Sequence, residues 1–142
     1  MSMGNGNPYG SVASAYRQSR VMSASRADLI VMLYERLLAD LRGAAIAIHA
    51  GDIETKSRKL QRALDVIFEL LGSLDRDQGG EVSQRLAALY SYMISRVGEA
   101  SRNLDTDAID EVAGHVESLL QAWATIASNP PMDASLTPPP GS

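Results

Sequence analysis

A chain of 142 residues is long enough to bury one sizeable core. It contains no cysteine, which excludes disulfides, thiolate chemistry and cysteine-ligated metals. Its formal net charge of −4 argues against a nucleic-acid partner, which needs a basic face.

The first 24 residues predict a flexible leader. Residues 1–27 carry Arg17, Arg20 and Arg26 and no acid, whereas all seventeen acidic residues lie from Asp28 onward. A basic leader of this kind either lies on the acidic body or remains a solvated tail. Its opening Ser, Gly and Asn residues predict no secretory signal, and the longest apolar run, Leu29–Tyr34, is far too short to cross a bilayer. A cytoplasmic protein with no membrane insertion is expected.

Proline is absent from residues 9–129, which predicts helices throughout, because an interior proline removes a hydrogen bond and clashes with the preceding turn. The first helix starts at Ser25, with Asp28 three residues on as an approximate capping box, and stops at Gly51. Ile30, Tyr34, Leu37, Leu41, Ala45 and Ile48 recur along it at helical spacing. Asp52 caps the second helix, which carries Ile53, Leu60, Leu64, Ile67, Leu71 and Leu74. A turn is expected over Asp75–Gly80. The third helix carries Val82, Leu86, Leu89, Met93, Val97, Ala100 and Leu104. The fourth, from near Asp105, carries Ile109, Val112, Val116, Leu119, Leu120, Trp123 and Ala127. Short connections between long helices favour antiparallel neighbours. The expected fold is therefore all-α: an antiparallel up-down-up-down four-helix bundle over residues 25–128, with a mobile N-terminal cap segment (1–24) and a disordered Pro-rich tail (129–142).

Three helices carry more apolar residues than one core stripe needs. The first adds Leu29, Val31, Met32 and Leu33, the second Val66, Phe68 and Leu70, the third Tyr90, Tyr92 and Ile94. A compact bundle could bury them all. The other reading is a second apolar surface covered by the leader, a second copy or a partner chain.

The motifs of chemistry are missing. A di-iron carboxylate bundle needs paired Glu-x-x-His motifs, and Glu111 to His115 has the wrong interval. Histidine phosphotransfer needs an exposed helical histidine with room beside it. His115 is followed by Val116-Glu117-Ser118 and His49 stands at a helix terminus, so neither fits well. No phosphate-binding glycine loop, nucleophile elbow or zinc spacing occurs, and Asp75–Gly80 lacks a full calcium-ligand set. No enzyme, cofactor or metal is expected.

The stretch Val21-Met22-Ser23-Ala24-Ser25-Arg26-Ala27-Asp28-Leu29-Ile30-Val31-Met32-Leu33-Tyr34-Glu35 resembles the opening of the flagellin-specific export chaperone family (FliS). Gly51-Asp52 with Lys56-Ser57, Leu74-Asp75 through Gly79-Gly80-Glu81, Leu89-Tyr90-Ser91-Tyr92-Met93 and Ala122-Trp123 resemble later family segments in order. Tyr16-Arg17-Gln18 resembles its leader. Arg26 stands where members often have proline and Arg36 where they often have glycine. The resemblance covers about residues 16–124. It implies a cytosolic chaperone that binds the disordered C-terminal region of flagellin, blocks premature polymerisation and delivers its client to the flagellar type III export apparatus. On this reading Leu29, Met32, Leu33, Val66, Leu70, Tyr90 and Ile94 line the client groove. Tyr16, Val21 and Met22 anchor the leader as a cap, and Tyr34 and Trp123 belong to the core. The free protein is expected to be a monomer or weak dimer. A bundle subunit using its extra stripes to form a homodimer is the alternative.

Overall fold

The computed structural model describes residues 25–74 and 76–128. Four helices follow in order: α1 (Arg26–His49), α2 (Ile53–Gly72), α3 (Arg76–Asn103) and α4 (Thr106–Ser128). The leader, the Pro-rich tail and Asp75 lie outside the described residues, and with them Tyr16, Val21 and Met22.

Local signals set the helix ends. Ser25 accepts from the Asp28 amide at 3.1 Å while Asp28 accepts from the Ser25 amide at 3.3 Å, so two otherwise unpaired donors are satisfied reciprocally. At the other end of α1, Gly51 takes the left-handed conformation (φ 73°). The amides of Gly51 and Asp52 then turn back onto the carbonyls of Ile48 and Ala47. Asp52 completes this motif and at once caps α2, accepting from the Thr55 amide at 3.1 Å.

The α3–α4 connection repeats the construction. The Asp105 amide closes α3 by donating a hydrogen bond to the Ala100 carbonyl, and its side chain caps α4 by accepting from the Ala108 amide. The left-handed position between them is held by Leu104, φ 52°, where α1 has glycine. Sequence periodicity places Leu104 in the core seam; it is instead 43% exposed, because the capping geometry turns it outward. Leu104→Gly is expected to stabilise the protein by about 0.5–1 kcal/mol, since an L side chain is penalised there more than glycine's extra unfolded freedom costs. Urea unfolding should show a higher midpoint at unchanged slope. A lower midpoint would mean that the leucyl packing outweighs the backbone strain.

Between α2 and α3 the expected turn is different. Helical structure resumes at Arg76 and is interrupted at Gly80, whose φ of 56° and ψ of −133° suit glycine alone. Residues 76–80 thus form a helical turn joined to the rest of α3 by a kink. Val82, just past it, is exposed rather than part of the core, and Ile53 in the first turn of α2 is exposed too.

Cross-helix contacts establish the up-down-up-down order. Arg26 at the start of α1 donates to the Ser73 carbonyl just beyond α2, at 2.7 Å. Lys56 in the first turn of α2 donates to the Ser101 carbonyl in the last turn of α3, at 3.2 Å. Arg96 of α3 meets Glu111 early in α4 at 2.9 Å, and the end of α4 (Ala124, Ala127, Ser128) lies beside the start of α1 (Asp28, Val31, Glu35). Each neighbouring pair is antiparallel. The basal end is the one where α1 and α3 begin and α2 and α4 finish, so both undescribed terminal segments join the bundle there.

The core is aliphatic, with two tyrosines. Ile30, Leu37 and Leu41 pack with Leu60, Ile67, Met93, Val97, Ile109, Val112 and Val116, all essentially removed from water. Helix α1 makes the most extensive interfaces, with α2 on one flank and α4 on the other. Its stripe must therefore be wider than a single seam, and Val31 and Leu38 are buried on that account. Asp40 of α1 is 2% exposed; Lys59 and Arg62 of α2 approach one carboxylate oxygen at 3.9 and 3.7 Å.

Candidate functional site: apolar surface at the basal end

The seven groove candidates occupy different environments. Leu29 is 41% exposed, and Met32, Leu33 and Ile94 are half-buried. Val66, Leu70 and Tyr90 are buried core residues, at most 3% exposed. The seven do not form one continuous groove. Leu29 and Leu33 lie one turn apart on α1, in the row that reaches Asp40 and hence faces α2. Ile94 is seven residues before Ser101, the α3 residue that Lys56 of α2 contacts, so it lies on the α2 side of α3. Among residues outside the seven, Phe68 of α2 is more exposed than any of them, at 54%. Only its presence in an over-apolar helix marks it in the sequence.

The basal end holds a feature that spacing along single helices cannot show. Ile30 of α1, Leu74 after α2, Val82, Leu86 and Tyr90 of α3, and Trp123 of α4 surround a cavity of about 190 Å³. It is comparable to the ~150 Å³ apolar cavities that accept a benzene-sized group. Periodicity assigns most of these residues to core seams. They form a cavity because the four seams diverge where the helices end. Arg26 stands at its mouth, and the Arg26–Ser73 bond closes one side.

Beneath the cavity, the Tyr34 and Tyr90 hydroxyls meet at 2.6 Å across the bundle diagonal. Burial raises the pKa of both phenols, because an anion there would lose its hydration. The shared hydrogen bond raises Tyr34 further and pulls Tyr90 the other way. Tyr34 is core; Trp123 is half-buried and packs against it.

A polar cluster joins α3 to α4. The Tyr92 hydroxyl donates to Glu111 at 2.6 Å, and Arg96 bridges Glu111 and Glu99 at 2.9 and 2.7 Å. Glu111 is held below the usual carboxylate range, first by the Tyr92 bond and then by Arg96. His115 Nε2 lies 3.5 Å from the same carboxylate, and its ring meets Tyr92 edge-on. A phosphoryl group on that nitrogen would face Glu111, which opposes the phosphotransfer reading. Among the described residues no group of three His, Cys, Asp or Glu side chains is placed to hold a metal, and no helix is long and apolar enough to cross a membrane.

The arrangement suits binding a chain against apolar surface. The family model described as flagellar protein FliS matches residues 9–130. The flagellar secretion chaperone FliS of Salmonella typhimurium is 37% identical over 111 residues, covering 78% of this chain and 82% of its own. Those of Bacillus subtilis and Campylobacter jejuni are 38% and 34% identical, covering 82% of this chain in each case and 84% and 91% of their own. The family model spans the whole described bundle, including the capped start of α1 and the Tyr90 and Trp123 segments, and on these matches the chain belongs to the FliS family of flagellar proteins.

Proposed function

We propose that this protein is a cytosolic, non-enzymatic export chaperone that binds the disordered C-terminal region of flagellin, prevents its premature polymerisation and aids its delivery to the flagellar type III export apparatus. Family membership supports the role, and the relatives carry the name of flagellar secretion chaperone. The observation that carries the binding mode is the apolar surface left on a well-capped bundle. Leu29 and Phe68 stand half out of water on α1 and α2, with Met32, Leu33 and Ile94 partly exposed beside them. A client forming helices against these faces buries apolar area while its own polar groups remain at the rim. Its ordering offsets part of the gain, about 2–5 kcal/mol or more, so a long contact is needed. In the free protein the leader, through Tyr16, Val21 and Met22, covers the outer face of α1 near Leu29 and Met32, drawn by the acidic body.

Co-expression with flagellin tests the reading. Pull-down should recover full-length flagellin and lose flagellin lacking its C-terminal region, and light scattering should show a monomer becoming a 1:1 complex. A constitutive dimer indifferent to flagellin would replace the chaperone reading with the homodimer one.

A further inference from the structure

The basal cavity combines an apolar interior with one cation. Among the described residues Arg26 is the only charged one lining it, and no carboxylate among them pairs with it. A guanidinium has five donors, and here one nitrogen serves the Ser73 carbonyl. The occupant that matches is a single long apolar side chain adjoining a carboxylate, which would gain a charge-assisted hydrogen bond at the mouth.

Two segments of this chain join the bundle at this end, and charge separates them. Residues 1–24 carry Arg17 and Arg20 and no acid, so beside Arg26 they place like charges together. Residues 129–142 carry one acid, Asp133, and no base, and Asp133 directly follows Met132. We propose that the C-terminal segment folds back as a tethered ligand, with the Met132 side chain in the basal cavity against Trp123 and the Asp133 carboxylate on Arg26.

Reach and stiffness favour it. From Trp123 to Ser128 the helix advances about 7.5 Å past the cavity. Four further residues span at most about 14 Å, enough to bring Met132 back level with Trp123. Pro130 and Pro131 hold the returning segment extended with φ already restricted, which lowers the entropy lost on docking. Methionine, unbranched and polarizable, suits an irregular cavity. The docking makes no use of the flagellin client, so the two proposals stand or fall separately. Its consequence is a second self-contact, at the end of the bundle, which a partner chain inserting into the same cavity must displace.

Trp123 is the only tryptophan, so its emission reports on the cavity directly. In the full-length protein, Met132→Ser and Asp133→Lys are each expected to shift the Trp123 emission to the red and increase its quenching by acrylamide. Circular dichroism should stay unchanged. Arg26→Glu should do the same, and Arg26→Glu combined with Asp133→Lys should restore the parent emission. A synthetic peptide of residues 129–142, added to the full-length Met132→Ser/Asp133→Lys protein, should reverse the shift saturably. The same peptide carrying Asp133→Lys should bind about tenfold more weakly, the worth of one charge-assisted hydrogen bond. Unchanged emission and quenching in both single tail variants would overturn the proposal. So would exposure of Trp123 by Val21→Ser/Met22→Ser but not by the tail variants, which would assign the cavity to the leader.

Discussion

Tyr34→Phe is expected to destabilise the bundle by about 1–3 kcal/mol, although it removes a single oxygen atom. The Tyr90 hydroxyl would remain in the interior without its 2.6 Å partner, and water cannot reach it cheaply. Tyr90→Phe should behave similarly. The double variant Tyr34→Phe/Tyr90→Phe should cost less than the sum of the two, because it leaves no orphaned hydroxyl. Thermal or urea unfolding of the four proteins gives the coupling energy directly; strict additivity would mean that the two hydroxyls act independently.

The same pair predicts a loss of stability in alkali. Both phenol pKa values are raised in the folded state relative to the ordinary value near 10. Above that pH the unfolded chain releases these protons while the folded chain keeps them, so the folded state binds more protons and stability falls as pH rises. Below it both states are protonated and the pair contributes no pH dependence. The double phenylalanine variant should show a shallower alkaline decline than the parent.

Under the proposed chaperone function, Leu29→Asp is expected to weaken association with the flagellin C-terminal region by about tenfold or more, without unfolding the protein. Leu29 is already 41% exposed, so a carboxylate there is hydrated when the chaperone is free and desolvated only under the client. Phe68→Asp tests the α2 side in the same way. Binding measured by calorimetry, beside circular dichroism of each variant, separates affinity from folding. Unchanged affinity in both variants would remove these two faces from the client site. Val66→Asp and Leu70→Asp cannot serve this purpose: both positions are at most 3% exposed, and a charge there would cost the fold itself.

That contrast marks how far the residues could be read in order. Ser25 with Asp28, Gly51 with Asp52, and Asp105 each specify a helix end through their own side chain or backbone within three or four residues. Such signals are complete in a short window, and between them the three- and four-residue apolar spacing, uninterrupted by proline, selects helix over strand. Four helices, their antiparallel order, and an apolar surplus on α1, α2 and α3 were therefore legible from local residues alone. The sequence misplaced Leu104, where the capping geometry overrides the apolar period, and it took for a plain turn the segment that Gly80 makes a kinked helical one.

Which part of the surplus is surface depended on tertiary structure. Periodicity ranks residues around one helix axis, whereas burial depends on how many neighbours that helix has. Helix α1 packs on two flanks, so Val31 and Leu38 vanish while Leu29, near the helix start, stays out. Val66 and Leu70 close against the core for the same reason. The basal cavity, with Arg26 at its mouth and Trp123 in its wall, draws on residues 26 to 123, and no local pattern connects them. It exists because four apolar seams separate as their helices end, a property of the assembled bundle and of no helix alone.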